Sequence, residues 1–92
     1  MSDVIDNQKE SRFELSVDGS LAIAEYRMSG DTIYFTHTET PWALQGRGVA
    51  SKLIHAALTS AKNRGLKIAP RCSFVADYIA KHPDSGRKPR RP

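Results

Sequence analysis

Three segments in the first half of the chain alternate apolar and polar residues, which is the pattern of half-buried strands. They are residues 12–17 (RFELSV), 21–28 (LAIAEYRM) and 32–39 (TIYFTHTE), and the last of them is rich in β-branched and aromatic side chains. The short sequences DGS and SGD separate them, and glycine-containing turns of this kind join antiparallel neighbours. The pattern therefore predicts a three-stranded antiparallel meander.

The spacing of apolar residues changes to a helical period in the second half. Seven of them recur at intervals of three and four, namely Val49, Ala50, Leu53, Ile54, Ala57, Leu58 and Ala61. Gly65 is a typical helix stop, a short buried strand (LKIAP) follows, and a second helix ends at Pro83. The predicted fold class is α+β (α/β), with the order β-β-β-α-β-α. The crossover helix would place the third and fourth predicted strands parallel.

Length and composition are those of one small globular domain. At 92 residues and 39% hydrophobic content, the chain can bury a modest core. We expect a mobile N-terminal segment (1–11), a single domain (12–84) and a basic disordered tail (85–92). One cysteine excludes an internal disulfide, and there is no bilayer-spanning apolar run or signal-peptide pattern. These features predict a cytoplasmic protein without a membrane partner.

The positive charge is unevenly distributed along the chain. The tail sequence GRKPRRP carries the whole formal net charge of +4, and the other Lys and Arg residues balance the acidic ones. Residues 42–82 hold seven basic residues and one acidic residue, which suits an anionic ligand, although a solvated helix face would have the same composition. Because the folded part is neutral overall, the basic isoelectric point does not by itself indicate nucleic-acid binding. Nucleic-acid binding by the tail is the least favoured hypothesis, since a charged tail is usually only solvated.

A glycine-rich turn, residues 45–50 (QGRGVA), opens the long predicted helix. The first N–H groups of a helix lack intrahelical partners and its dipole is positive there, so the turn predicts an anion site. A P-loop string is absent from the sequence, and a dinucleotide fingerprint fails because Ser51 stands where its third glycine would be. The alternative is that both glycines only make a tight turn.

The turn matches Gln/Arg-x-x-Gly-x-Gly/Ala, the pyrophosphate loop of the GNAT superfamily of N-acetyltransferases. Its place after an antiparallel meander and before helix, strand and helix resembles the GNAT core over roughly residues 12–84. The strings HTETP, GxAS and PxCSFV, with a last helix ending in HP, are similar to a small stand-alone GNAT-like family, the YjdJ-like group.

The resemblance implies a minimal N-acetyltransferase that uses acetyl-CoA as cosubstrate, transfers acetyl to an amine and needs no metal. The backbone of the turn would cradle the pyrophosphate, Ser51 would add a hydroxyl, and Lys52 or Arg71 would reach the 3′-phosphate. The pantetheine arm would lie between the third and fourth strands. The predicted binding set is Gln45, Gly46, Arg47, Gly48, Val49, Ala50, Ser51 and Arg71. The alternative is a non-catalytic acyl-CoA-binding module of the same fold.

Three residues are candidates for catalysis. Acetyl transfer needs a base for the amine, a stabilised oxyanion and a proton for the CoA thiolate. His37 and Glu39 stand at i and i+2 on the third predicted strand and share a face, so either is a candidate base. Cys72 precedes the last helix, whose N-terminus lowers a thiol pKa, and the resemblance implies an active-site cysteine there. The structural alternatives are a hydrogen-bonded sheet histidine and a small buried cysteine.

Other residues receive structural interpretations. Tyr78 lies on the last helix, where many GNAT enzymes have a tyrosine that protonates the thiolate, but its spacing favours core packing. Trp42 is predicted to anchor the loop by packing, and His55 and His82 are assigned no function. The chain lacks the helices that wall the acceptor side of larger GNAT proteins. The acceptor side would therefore be open or completed by a partner. Weak oligomerisation is a further expectation.

Overall fold

The computed structural model describes residues 3–83, and the predicted basic tail, residues 85–92, lies outside them. Within the described range the chain forms five strands, a short 3-10 turn and two helices. In chain order they are β1 (Ile5–Asn7), β2 (Arg12–Val17), β3 (Ser20–Ser29), β4 (Thr32–Glu39), the 3-10 turn (Trp42–Leu44), α1 (Val49–Asn63), β5 (Lys67–Pro70) and α2 (Ser73–Lys81).

The three strands predicted in the first half form an antiparallel meander, β2-β3-β4, inside a sheet of order β1-β2-β3-β4-β5. At the turn between β2 and β3, Asp18 and Gly19 both have positive φ, 51° and 80°. This backbone conformation matches the twist of a tight hairpin, and an Asp-Gly pair adopts it readily. The predicted meander is confirmed.

β1 was not predicted, and it corrects the expectation of a mobile lead-in for residues 5–7. It pairs antiparallel with β2, with Ile5 opposite Glu14. Asp6 is held by its side chain, since its Oδ1 accepts a hydrogen bond from the Tyr26 hydroxyl at 2.6 Å and its Oδ2 lies 3.3 Å from Arg64 Nη1. A three-residue edge strand fixed by polar contacts has no apolar alternation, so the sequence pattern gave no sign of it.

The predicted crossover is also confirmed. α1 starts at Val49 as expected, and β5 returns parallel to β4, with Ile68 opposite Ile33 and Pro70 opposite Phe35. β5 is at the edge of the sheet, and none of its four residues is fully buried. The expectation of a buried strand for this segment was therefore wrong, because only one neighbour covers it.

Both helices lie on one face of the sheet, because their buried residues join the same core. Ile54, Ala57 and Val75 are fully enclosed, and the rings of Phe13, Tyr26 and Phe35 pack on one another with centroids 5.4–6.4 Å apart. The buried cluster comprises Phe13, Leu15, Ala22, Ala24, Tyr26, Ile33, Phe35, Leu44, Val49, Leu53, Ile54, Ala57, Leu58, Ala61 and Val75. The opposite face of the sheet is not covered by either helix.

A bulge in β4 decides which side chains face the helices. Tyr26 pairs with Phe35 and Glu25 pairs with His37, so Thr36 is an extra residue that stands opposite no residue in the β3–β4 register. An extra residue reverses the alternation beyond it. Thr38, opposite the fully buried Ala24, consequently shares the helical face with Phe35, whereas regular alternation would have placed His37 there.

The Tyr26–Asp6 hydrogen bond predicts a stability effect and a pH dependence. Burial, and then the hydrogen bond to Asp6, raise the pKa of Tyr26 from about 10 to about 12. Because the raised pKa favours the protonated hydroxyl, this stabilisation is complete below pH 10 and is lost as pH rises from 10 to 12. Tyr26→Phe is expected to cost about 1 kcal/mol at neutral pH and to remove this alkaline loss.

Urea denaturation at neutral and alkaline pH measures both effects. Tyr34→Phe is the matched control, because Tyr34 lies on the uncovered face of the sheet under Arg71. A Tyr26→Phe variant as stable as the wild type at neutral pH would show that the bond to β1 contributes no net stability.

Candidate functional site

A cleft of about 370 Å³ lies where the end of β4, the start of α1 and the start of α2 meet. It brings together six of the eight predicted cofactor-binding residues. Its lining residues are Thr40, Leu44, Gln45, Gly46, Gly48, Val49, Ala50, Ser51 and Phe74.

The two glycines of the turn have backbone conformations that favour glycine and that leave open space in front of them. Gly46 and Gly48 have φ of 79° and 74°, and apart from each glycine and its two chain neighbours no atom lies within 4 Å of a Cβ built on either. Gly48 is the N-cap of α1, so the N–H groups of the next three residues have no intrahelical acceptor. Open space, free donors and a positive helix end fit an anionic group such as a diphosphate.

Arg47, between the two glycines, does not line the cleft. Its Nη2 lies 3.0 Å from Oδ2 of Asp18 in the β2–β3 turn. Both side chains are solvent-exposed, and an exposed ion pair contributes only about 0.2–1 kcal/mol. The cost of moving this guanidinium from Asp18 to a bound phosphate is therefore small.

The two other predicted phosphate contacts also point elsewhere. The Arg71 guanidinium lies over the Tyr34 ring, with Cζ 5.5 Å from the centroid, on the face of the sheet that the helices leave uncovered. Lys52 Nζ is 3.8 Å from Oδ2 of Asp3 and lines a different groove, between α1 and the N-terminal segment. Neither residue lines the cleft. The direction of each side chain depends on its position around the helix or along the sheet, and not on its distance in sequence from the glycine turn.

Trp42 does not anchor the loop, and that prediction was wrong. Its side chain is 88% exposed, whereas Leu44, two residues on, is buried in the core. In the 3-10 turn, Leu44 N donates to Pro41 O at 2.9 Å and Gln45 N donates to Trp42 O at 3.2 Å. The aliphatic side chain therefore fixes the loop, and the indole remains in solvent.

Cys72 lies beside the cleft as the N-cap residue of α2. Its backbone N donates to Phe35 O at 2.9 Å, and its Sγ is 3.4 Å from Oγ1 of Thr38. Burial alone would raise the pKa of the half-buried thiol. Hydrogen bonds from the Thr38 hydroxyl and from backbone N–H groups at the start of α2 and on Thr38 favour the thiolate, and the net pKa is lowered.

The lowered pKa predicts a thiol that is alkylated at lower pH than in the unfolded chain. Cys72 is the single cysteine, so intact mass after treatment with iodoacetamide reports on this thiol alone. The midpoint of the rate against pH is expected below the midpoint measured in urea. Thr38→Val should raise the midpoint, because it removes the hydroxyl donor and keeps the shape. Equal midpoints in folded and unfolded protein would contradict the prediction.

His37 and Glu39 lie together, as predicted, but on the other face of β4. His37 Nε2 is 3.5 Å from Glu39 Oε1, and the two side chains are 55% and 67% exposed. The bulge at Thr36 turns them away from the helical face, on which Thr38 and Cys72 meet. The three predicted catalytic residues thus form two groups on opposite faces of one strand.

Tyr78 packs partly against the core, in line with its spacing. Its hydroxyl lies 3.2 Å from Nδ1 of His55 on α1, and its ring stacks on His82 with centroids 4.2 Å apart. The contact with His55 joins α2 to α1, and the stack on His82 lies at the C-terminal end of α2.

Four residues near the site were not predicted: Thr38, Thr40, Leu44 and Phe74. Thr38 is a polar residue on a strand whose bulge the sequence does not reveal. Phe74 is two residues after Cys72, and its aromatic ring at an exposed helix start was a usable signal. Thr40 directly precedes the proline-tryptophan pair and Leu44 lies two residues after it, and only the turn geometry brings them to the cleft wall.

Two general features of the described residues bear on function. Neither α1 nor α2 has the length and apolar character needed to cross a membrane. Across residues 3–83, no three or more His, Cys, Asp or Glu side chains are grouped so that they could hold a metal ion.

The order of elements, the parallel β4–β5 pair and the glycine turn at the start of α1 define the GNAT-type fold. Residues 12–87 match the family model of GCN5-related N-acetyl-transferase. The chain belongs to this family. The match covers most of the sequence and includes the cleft and Cys72.

Similar proteins support the assignment. Protein NATD1 of Xenopus tropicalis and that of Homo sapiens are each 30% identical over 80 residues, which cover 84% of this chain and 73% and 71% of theirs. A GCN5-like protein of Staphylococcus aureus, solved by NMR in solution, superimposes with a TM-score of 0.66 at 27% identity. That superposition covers 90% of this chain and 82% of the other.

Proposed function

We propose that this protein is an acetyl-CoA-dependent N-acetyltransferase of minimal size that transfers acetyl to an amine. The observation that carries the proposal is the cleft at the N-terminus of α1, whose glycines leave open space before free backbone donors. Family membership supplies the chemistry: acetyl-CoA provides an activated acetyl thioester. Membership of the YjdJ-like group and a cytoplasmic location stay predictions.

The residues of the turn would hold the diphosphate. Gly46 and Gly48 allow close approach, the N–H groups at the start of α1 donate hydrogen bonds, and Ser51 lines the same cleft. Arg47 would add charge after leaving Asp18. Arg71 and Lys52 point away from the cleft, so we do not include them among the proposed phosphate contacts.

The end of β4 gives access from both sides of the sheet. β5 pairs only with residues 32–35 of β4, whereas β4 continues to Glu39. Cys72 stands at this divergence on the helical side, and His37 and Glu39 stand on the uncovered side. We infer that an amine approaches from the uncovered face, where His37 or Glu39 accepts its proton. On the helical side, where CoA would lie, Cys72 would serve as an acid–base group.

Two measurements test the proposal. Calorimetric titration of the folded protein with CoA and acetyl-CoA is expected to give saturable binding. Mass spectrometry of a panel of amines incubated with acetyl-CoA and protein should then detect an acetylated product. His37→Gln and Glu39→Gln should slow transfer without weakening CoA binding, with His55→Gln as the matched control on α1. Absence of CoA binding would overturn the proposal.

The second candidate function is a non-catalytic acyl-CoA-binding module. It is favoured by the separation of Cys72 from the His37–Glu39 pair and by the exposure of that pair. Saturable CoA binding without any acetylated product across the panel would support it. Both candidates require the glycine turn, and only the transferase requires the His37–Glu39 pair.

A further inference from the structure

Trp42 has a large apolar side chain that is not part of the hydrophobic core. Its indole is 88% exposed, more than any other large hydrophobic residue in the described range. A tryptophan ring that becomes covered removes about 150–250 Å² from water and can stack on another planar group. The position therefore favours a ligand contact over a folding role.

The indole stands at the rim of the cleft. Thr40, two residues before it, and Leu44, two residues after it, both line the cleft wall. The Trp42 carbonyl accepts the N–H of Gln45 at 3.2 Å, and Gly46 follows directly. Because Leu44 is buried, the backbone that carries the indole is fixed to the domain, one short turn away from the glycines.

We propose that Trp42 is the platform on which the adenine base of CoA stacks. The inference rests on the proposed function and names a specificity determinant within it. In CoA a single ribose separates the adenine from the diphosphate. A diphosphate at Gly46 and Gly48 thus leaves the base within a short reach of the rim, and the exposed indole offers a flat face to it. Stacking on one aromatic ring favours an adenine nucleotide over a ligand that carries only the pantetheine arm.

The sequence offers a direct readout, because Trp42 is the only tryptophan. Its emission is recorded during titration with CoA and, separately, with acetylpantetheine, which lacks the nucleotide. CoA is expected to quench the emission saturably, and acetylpantetheine is expected to leave it unchanged. Calorimetry on Trp42→Ala should show CoA binding weakened by about tenfold, the typical loss of one base–aromatic stack.

Two further variants make the test specific. Trp42→Phe retains a smaller ring and should recover part of the affinity. Ile5→Ala removes another exposed apolar side chain, on β1 and away from the cleft, and should bind CoA as the wild type does.

The outcomes separate this inference from the proposed function. Saturable CoA binding with unchanged emission, or with equal affinity in Trp42→Ala, overturns the adenine platform and leaves the acetyltransferase proposal standing. Equal quenching by acetylpantetheine also overturns it, because the ring would then respond to the pantetheine end. No CoA binding to the folded wild type overturns both.

Discussion

Replacing Gly48 with glutamate is expected to abolish CoA binding. Gly48 lines the cleft at the N-cap of α1, with no atom within 4 Å of the site of a new Cβ. The added carboxylate would occupy the anion site and repel a diphosphate. Like charges in such proximity cost several kcal/mol, which corresponds to at least about a hundredfold loss in affinity. Calorimetric titration with CoA measures it.

The chain offers a matched control for backbone strain. Gly48 has φ of 74°, where a non-glycine residue costs about 1–2 kcal/mol. Gly65, which follows α1, has φ of 71° and equally open surroundings, but it does not line the cleft. Gly65→Glu should therefore lose similar stability and keep CoA binding. If both variants bind CoA as the wild type does, the glycine turn is not the anion site.

Replacing Cys72 with alanine is expected to lower acetyl transfer by about a hundredfold, the lower range for loss of one acid–base group. Its thiol has a lowered pKa and stands where β4 and β5 diverge. Affinity for CoA should be retained, since the turn that we propose as the diphosphate site is untouched. The measurement is the initial rate of acetylated product with an amine from the panel.

Two further variants identify what the thiol contributes. Cys72→Ser keeps a small polar group at the N-cap position, and its rate should lie between those of the wild type and the alanine variant. Thr38→Val should shift the pH profile of the rate upward, as is expected for the profile of alkylation. Transfer by Cys72→Ala at the wild-type rate would show that the Cys72 thiol takes no part in acetyl transfer.

The sequence determined the elements with strong local periodicity. β2, β3 and β4 were predicted within one residue at each end, because alternation and the Asp-Gly and Ser-Gly turns are local signals. α1 begins where the pattern begins, at Val49, and Gly65 follows its end. The family and the glycine turn could also be predicted from the sequence, because two glycines directly before a helical apolar pattern are a local signal for a turn at a helix start.

Side-chain direction was not accessible from the sequence. Arg47 is paired with Asp18, 29 residues earlier, and Arg71 is stacked on Tyr34. Each partner comes from a turn or strand whose relative position depends on the whole sheet. Proximity in sequence to the glycine turn therefore did not place these guanidinium groups in the cleft.

The division of the candidate site between two faces was decided by tertiary structure alone. A single extra residue at Thr36, opposite the step from Glu25 to Tyr26, moves His37 to the uncovered face and Thr38 to Cys72. Alternation of apolar and polar residues predicts a strand but does not reveal a bulge, because a bulge depends on the register with the paired strand. The chain thus specified β2 to β5, both helices and the glycine turn locally, whereas long-range pairing determined the place of β1 and which polar side chains meet.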